Sequence, residues 1–165
     1  MVELKEEKPR EQLFAELAEL HRSMEKKLTV KEQFIQRFQA LAQKEEEPLF
    51  LLNLFSCPVA VFKMGGYLHR VNQVFMESTD LQEEDVSGGT INFLARVTNE
   101  NFAMLEAAEG VFYGKTALLS RLSFLLELFC KSWSYTVSDD YHSVLFFPLS
   151  DSCGHTPLGV VMLMK

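Results

Sequence analysis

Residues 141–149 (YHSVLFFPL) and 157–164 (PLGVVMLM) decide the fold of this chain. Each carries an unbroken run of apolar residues, VLFF at 144–147 and VVMLM at 160–164, and the SDSCGHT linker at 150–156 is rich in turn formers. Successive side chains on a strand point to opposite faces, so such runs make a sheet apolar on front and back, and both faces need cover. Working towards the N-terminus, residues 132–137 (SWSYTV) read as a further strand, joined to the first through Ser-Asp-Asp. Earlier still, residues 58–63 (PVAVFK), Met64-Gly65-Gly66 and residues 67–71 read as a strand, a tight turn and its partner strand. The sum is five antiparallel strands with helical segments between the second and third, an α+β class.

The intervening segments are short. Residues 49–55 form an apolar turn or helix, and residues 72–78, 81–86 and 91–96 read as helical pieces, with Ser87-Gly88-Gly89 as a break. Residues 98–111 open on Thr-Asn-Glu-Asn, a good helix cap, and carry Phe102, Leu105 and Ala108 on a helical repeat. Residues 117–130 (ALLSRLSFLLELFC) contain Leu, Arg and Glu but no β-branched residue, so another helix is predicted there.

Charge density divides the chain at Pro48. Residues 1–48 hold 9 of the 16 Lys/Arg and 11 of the 23 Asp/Glu, leaving 7 and 12 for the remaining 117 positions. The first part is mostly solvated surface and the second holds the core, giving a helical segment at 1–47 and a domain at 48–165. Leu13, Leu17, Leu20, Met24 and Leu28 recur at helical spacing, and Val30, Phe34, Phe38 and Leu41 form a second stripe. Thr29 and Glu32 make a capping box between them, and Glu45-Glu46-Glu47-Pro48 ends the second stripe, so two helices at 10–28 and 30–45 are predicted. Stripes with aromatic residues must be covered. Two readings stand: packing on the chain's own core, or a homodimer interface of coiled-coil type through Leu13, Leu17, Leu20, Met24, Leu28, Phe34, Phe38 and Leu41.

The net charge of −7 argues against nucleic acid or an anionic membrane as a direct partner, because phosphate binding needs clustered Lys and Arg. No apolar run approaches the roughly 20 residues of a membrane span, and the charged start (MVELKEEKPR) has no signal-peptide pattern. Cys57, Cys130 and Cys153 are an odd number without a CxxC pair, which suits a reducing cytoplasm. No base stands beside any of them in sequence, and Cys57 and Cys130 read as small buried residues. The four histidines lack metal-ligand spacing, so no metal is expected. Residues 110–116 (GVFYGKT) lack the spacing of a phosphate loop, and no nucleophile elbow occurs, so no catalytic residue is assigned.

A strand hairpin, several short helices and a closing antiparallel meander resemble a PAS domain over roughly residues 48–165. The residues carrying the likeness are Cys57-Pro58-Val59-Ala60-Val61-Phe62, Gly66, Val71-Asn72, Asp85-Val86-Ser87-Gly88-Gly89 before Phe93-Leu94, then Phe146-Phe147-Pro148-Leu149, Asp151, Gly154 and Gly159-Val160-Val161. The predicted helix at 117–130 departs from that pattern, in which the long helix leads directly into the third strand. The resemblance implies a PAS-like five-stranded antiparallel sheet, short helices on one face and the N-terminal helices on the other. It also implies a sensory or dimerisation module of a signalling or transcription-regulatory protein, not an enzyme.

Flavin photochemistry would need a reactive Cys in the stretch where Ile91-Asn92-Phe93-Leu94 stands, and haem a His on the long helix, which residues 98–111 lack. No cofactor is therefore expected. A small apolar ligand would find Phe75, Phe93, Phe102, Leu105, Phe112, Trp133, Tyr135 and Phe146 around the expected interior, with Asn92, Arg96, Tyr141 and His142 as polar contacts. The competing reading is that these side chains simply fill the core, leaving a ligand-free homodimer or adaptor. In either case an effector domain or partner protein is expected to receive the output.

Overall fold

The computed structural model describes residues 9–26, 31–44, 49–123, 125–131, 140–150 and 155–165. Helices α1 (Arg10–Lys26), α2 (Lys31–Lys44) and α3 (Leu49–Leu52) precede strands β1 (Val59–Lys63) and β2 (Tyr67–Val71). Then come α4 (Gln73–Ser78), α5 (Glu83–Ser87), a 3-10 turn at Phe93–Arg96, α6 (Phe102–Gly110), β3 (Ala117–Leu119), a 3-10 turn at Leu125–Leu128, β4 (Ser143–Leu149) and β5 (Leu158–Met164). The strands form one antiparallel sheet in the order β2-β1-β5-β4-β3. The first hairpin thus meets the last strand at the centre, and the segment from α4 to α6 crosses from one edge of the sheet to the other.

The alternation anticipated for β4 and β5 sorts their side chains into two cores. Val144, Phe146, Val161 and Leu163 join Ala60, Phe62, Leu68 and Val71 on the inner face, packed with Phe75, Val86, Phe93, Met104 and Phe129. Leu145, Phe147, Val160 and Met162 join Val59 and Val61 on the outer face, packed with Leu17, Phe34, Ile35, Phe38, Leu51, Leu52 and Phe55. The N-terminal stripes therefore cover the sheet of their own chain. Each fully buried Leu, Val or Phe contributes about 1.5–3 kcal/mol relative to exposure, so neither face is stable uncovered.

Local geometry follows the residues. Gly66 closes the β1–β2 turn at φ +93, and a Cβ there would lie 2.5 Å from Leu94 Cγ, so the turn accepts only glycine. At Gly159 on β5 a Cβ would come within 2.6 Å of the Phe62 ring, so the missing side chain makes room for that ring against the sheet.

One element is corrected. Among the described residues of 117–130 the predicted helix is absent: Ala117–Leu119 pair with Phe146, Leu145 and Val144 of β4 as the third strand. Arg121 then adopts φ +60, and Leu125–Leu128 form only a 3-10 turn. The open edge of β4 supplies hydrogen bonds that override the helical preference of Ala and Leu, as a sheet edge often does. The departure from the PAS pattern disappears, because α6 and the turn at Val111–Tyr113 lead directly into β3. The strand predicted at 132–137 lies outside the described residues, as do the capping Thr29 and the turn between α1 and α2.

Candidate functional site

On the inner face, Phe75, Phe93 and Phe146 of the proposed pocket are brought together, but with each other's rings rather than around a space. Phe93 lies 4.8 Å from Phe129 and 5.3 Å from Phe62 between ring centroids, and Phe75 lies 5.2 Å from Phe129. Phe146 completes the group, 6.0 Å from Phe62 and 6.4 Å from Phe93, and Phe112 flanks it, 5.8 Å from Phe62. The contacts of Phe62 with Phe93, Phe112 and Phe146 and of Phe75 with Phe129 are edge-to-face, while Phe93 is tilted on Phe129 and stacked on Phe146, as aromatic side chains fill a core.

The remaining pocket candidates are placed elsewhere. Phe102, at the start of α6, is 51% exposed, and Leu105 is half-buried. Asn92 Oδ1 accepts the backbone N–H groups of Leu94 and Ala95, capping the 3-10 turn. Arg96 donates to the carbonyls of Glu127 and Lys131, both at 3.1 Å, and so fastens the segment after β3. His142 is exposed, with Nδ1 2.9 Å from the Leu122 carbonyl, and Tyr141 is buried in the inner core with Lys165 Nζ 5.5 Å from its ring centroid. Trp133 and Tyr135 lie outside the described residues.

A solvent-open groove of about 400 Å³ runs beside β2, lined by Lys63, Met64, Tyr67, His69, Arg70 and Ser87. Partial burial lowers the His69 pKa, and the neighbouring Arg70 and Lys63 charges lower it further.

The outer face carries the denser polar and aromatic detail. Phe38 lies 5.2 Å from Phe147 and 5.8 Å from Phe55, and Phe34 lies 5.6 Å from Phe55 and 6.4 Å from Phe147. Gln39 of α2 donates to the Pro148 carbonyl of β4, and Arg37 of α2 pairs with Glu16 of α1. Of the interface candidates, Leu17, Phe34 and Phe38 are fully buried in this one chain, while Leu13 and Leu20 are half-buried against the same cluster. Met24 and Leu41 fall within α1 and α2, and Leu28 lies outside the described residues.

A residue that sequence reading passed over sits at the centre of this contact. His21 Nε2 lies 3.2 Å from Cys57 Sγ, both side chains buried. Cys57 is buried as its sequence context suggests, and with no base beside it in sequence it meets one from a helix 36 positions away, a distance no local pattern records. Next to Cys57, Asn72, named in the sequence only among the residues that carry the PAS likeness, bonds four backbone groups.

The strand order, the crossing segment of short helices and the helices packed behind the sheet make this a PAS-like α+β fold. No family model matches the chain, and no curated protein sequence matches it. Among solved structures, it is similar to a sensory box sensor histidine kinase from Vibrio cholerae, at 11% identity over 70% of this chain and 86% of that one, with a TM-score of 0.47. It is also similar to the PAS domain of Bordetella pertussis BvgS, at 17% identity over 71% and 82% of the two chains, with a TM-score of 0.47. A third is the Rhodobacter sphaeroides LOV protein, at 13% identity and a TM-score of 0.49, where the match spans 70% of this chain and 63% of the other.

Proposed function

We propose that this chain is a cytoplasmic sensory and dimerisation module of a signal-transduction or transcription-regulatory protein, passing its output to an effector domain or partner protein. The observation that carries the reading is the docking of α1 and α2, through Leu17, Phe34, Ile35 and Phe38, on the outer face of the sheet. An element packed there is bound to the same strands that line the inner core, so a change in either is felt by the other. Such coupling needs a packed element with two arrangements, and the proposal assigns that part to the α1–α2 layer. No catalytic step is assigned to the chain, and no helix among the described residues is long and apolar enough to cross a membrane.

Two further parts of the proposal are finer. The buried stripe of α1 and α2 serves its own sheet, so a second copy docks against the half-buried residues Leu13, Phe14 and Leu20. The ring packing of Phe62, Phe75, Phe93, Phe129 and Phe146 favours operation without a core ligand, which brings the reading close to a ligand-free adaptor; a small apolar ligand is the alternative. Native mass spectrometry of the full chain reads both parts at once. The expected mass is twice 18.9 kDa with nothing added. Extra mass that vanishes on denaturation establishes a core ligand instead, and the mass of a single chain at micromolar concentration removes the homodimer.

A further inference from the structure

His21 on α1 and Cys57 on the approach to β1 form a pair that packing alone does not require. Their side chains are 4% and 3% exposed, with Nε2 3.2 Å from Sγ. The imidazole also meets the Phe55 ring edge-on at 5.0 Å and the Phe34 ring at 5.9 Å. Burying an imidazole among phenyl rings costs desolvation that a leucine would avoid. What the imidazole adds is a nitrogen within reach of a thiol. A nitrogen so placed is what proton removal from a thiol requires, in the tautomer that leaves Nε2 without its own proton. In the docked state α1 roofs both groups.

We propose that Cys57 is a modification site for a small peroxide, with His21 as its base and α1, which carries that base, as the element that oxidation displaces. With the ring proton on Nδ1, Nε2 accepts the proton of Sγ, and the sulfur electron pair attacks one peroxide oxygen. The S–O bond forms as the O–O bond breaks; for hydrogen peroxide, the departing hydroxide takes the proton from the imidazolium and leaves as water. Sulfur is oxidised to a sulfenic acid and peroxide is reduced. The new oxygen is polar and stands between Sγ and the His21 ring, which itself packs against Phe34 and Phe55. A modified Cys57 and a docked α1 therefore exclude one another, and oxidation is read out as helix release.

Cys130 provides a contrast inside the same chain. It too is buried, but its Sγ donates to the Leu126 carbonyl, an acceptor that cannot take up a proton, and burial pushes the thiol up to about 11. The inference deepens the sensory reading by naming an input, and rests on it only in treating the α1 contact as the signalling element. The thiol chemistry is measured with neither a second copy nor an effector, so the two fail separately.

The test exposes the full chain to hydrogen peroxide with dimedone as the sulfenic-acid trap, and follows each cysteine by peptide-resolved mass spectrometry. Hydrogen exchange reports on α1. Labelling at Cys57 is expected at least about tenfold faster than at Cys130, and His21→Phe is expected to slow it by about tenfold while extending the aromatic cluster that holds α1. Amides of α1 are expected to exchange faster once Cys57 is modified. Equal rates at the two cysteines, an unchanged Cys57 rate in H21F, or unaltered α1 exchange in the modified chain each overturn the proposal. Should H21F loosen α1, His21→Gln retains hydrogen-bonding capacity without a proton-accepting nitrogen, and the same slowing is required of it.

Discussion

Asn72 shows how one side chain fixes the place where three elements meet. It is fully buried, and its Oδ1 accepts from the N–H of Val59 at 3.1 Å and of Phe75 at 3.0 Å. Its Nδ2 donates to the carbonyls of Leu52 at 3.1 Å and Cys57 at 2.8 Å. These bonds join the end of α3, the start of β1 and the first turn of α4. Asn72→Ala strands the Val59 and Phe75 N–H groups and removes the amide donor from the Cys57 carbonyl, while the Leu52 carbonyl keeps the Phe55 N–H, and urea denaturation is expected to show a loss of roughly 2–4 kcal/mol. Asn72→Asp keeps the acceptor but turns a carboxylate oxygen on two carbonyls, so it is expected to be no better; a loss below about 1 kcal/mol in either variant contradicts the account. The second expectation at this scale concerns Cys130, whose thiol is pushed up to about 11 by burial, from its ordinary value of 9.0. Between those limits the unfolded chain releases the proton and the folded chain keeps it. The contribution is therefore whole below pH 9 and is lost as pH rises towards 11. Denaturation midpoints across pH 8–11 should fall more steeply for the native chain than for Cys130→Ala. A single residue's type was legible from sequence where its role was local, as with the turn glycine Gly66. It was not legible where the partner came from far along the chain, as with His21 and Cys57, or Arg96 and the Glu127 carbonyl.

Among elements, those that read clearly were those whose own side chains decide them. β1, β4 and β5 carry apolar runs, Gly65 and Gly66 turn the first hairpin, and the stripes of α1 and α2 have helical spacing. β3 did not read, because three residues of Ala and Leu have no pattern of their own and become a strand only beside Val144, Leu145 and Phe146. The segment that follows is held by polar contacts rather than by regular structure. Arg96 grips the Glu127 and Lys131 carbonyls, the Lys131 N–H donates to Asp80, and Lys131 Nζ lies 2.9 Å from Asp85. The backbone N–H of Gln82 holds the Asp85 pKa down, and Lys131 adds to this; the stabilisation is thus whole above the ordinary carboxylate value and is lost as pH falls below it, through the depressed pKa of the folded chain. Arg96→Met removes two charged donors while keeping an apolar stem against the turn. Amides of residues 125–131 are expected to exchange about tenfold faster in that variant, while β4 and β5 keep their protection. Uniform loss of protection across the sheet would show instead that Arg96 supports the whole fold.

For the molecule as a whole, the governing fact is a sheet with no polar face. Val59, Val61, Leu145, Phe147, Val160 and Met162 point to the side that α1 and α2 cover, and every one is fully buried. That requirement was legible in the apolar runs of β4 and β5; what the sequence left open was whether the cover came from the same chain or a second copy. Here it comes from the same chain, through Leu17, Phe34, Ile35 and Phe38. Removal of residues 1–47 therefore does more than delete an appendage, because it uncovers an apolar surface that an isolated soluble chain rarely tolerates. The truncated chain is expected to aggregate or self-associate through the bared sheet, with dye binding that the full chain lacks. Phe38→Asp tests the same contact without shortening the chain. It sets a carboxylate beside the Phe34, Phe55 and Phe147 rings, where burying the charge is expected to cost about 4 kcal/mol or to expel α2 from the sheet. Light scattering and proteolysis of residues 10–44 distinguish these results. A truncated chain that stays monomeric with an unchanged melting temperature would mean that the outer face needs no cover, and the coupling proposed between α1, α2 and the inner core would lose its physical basis.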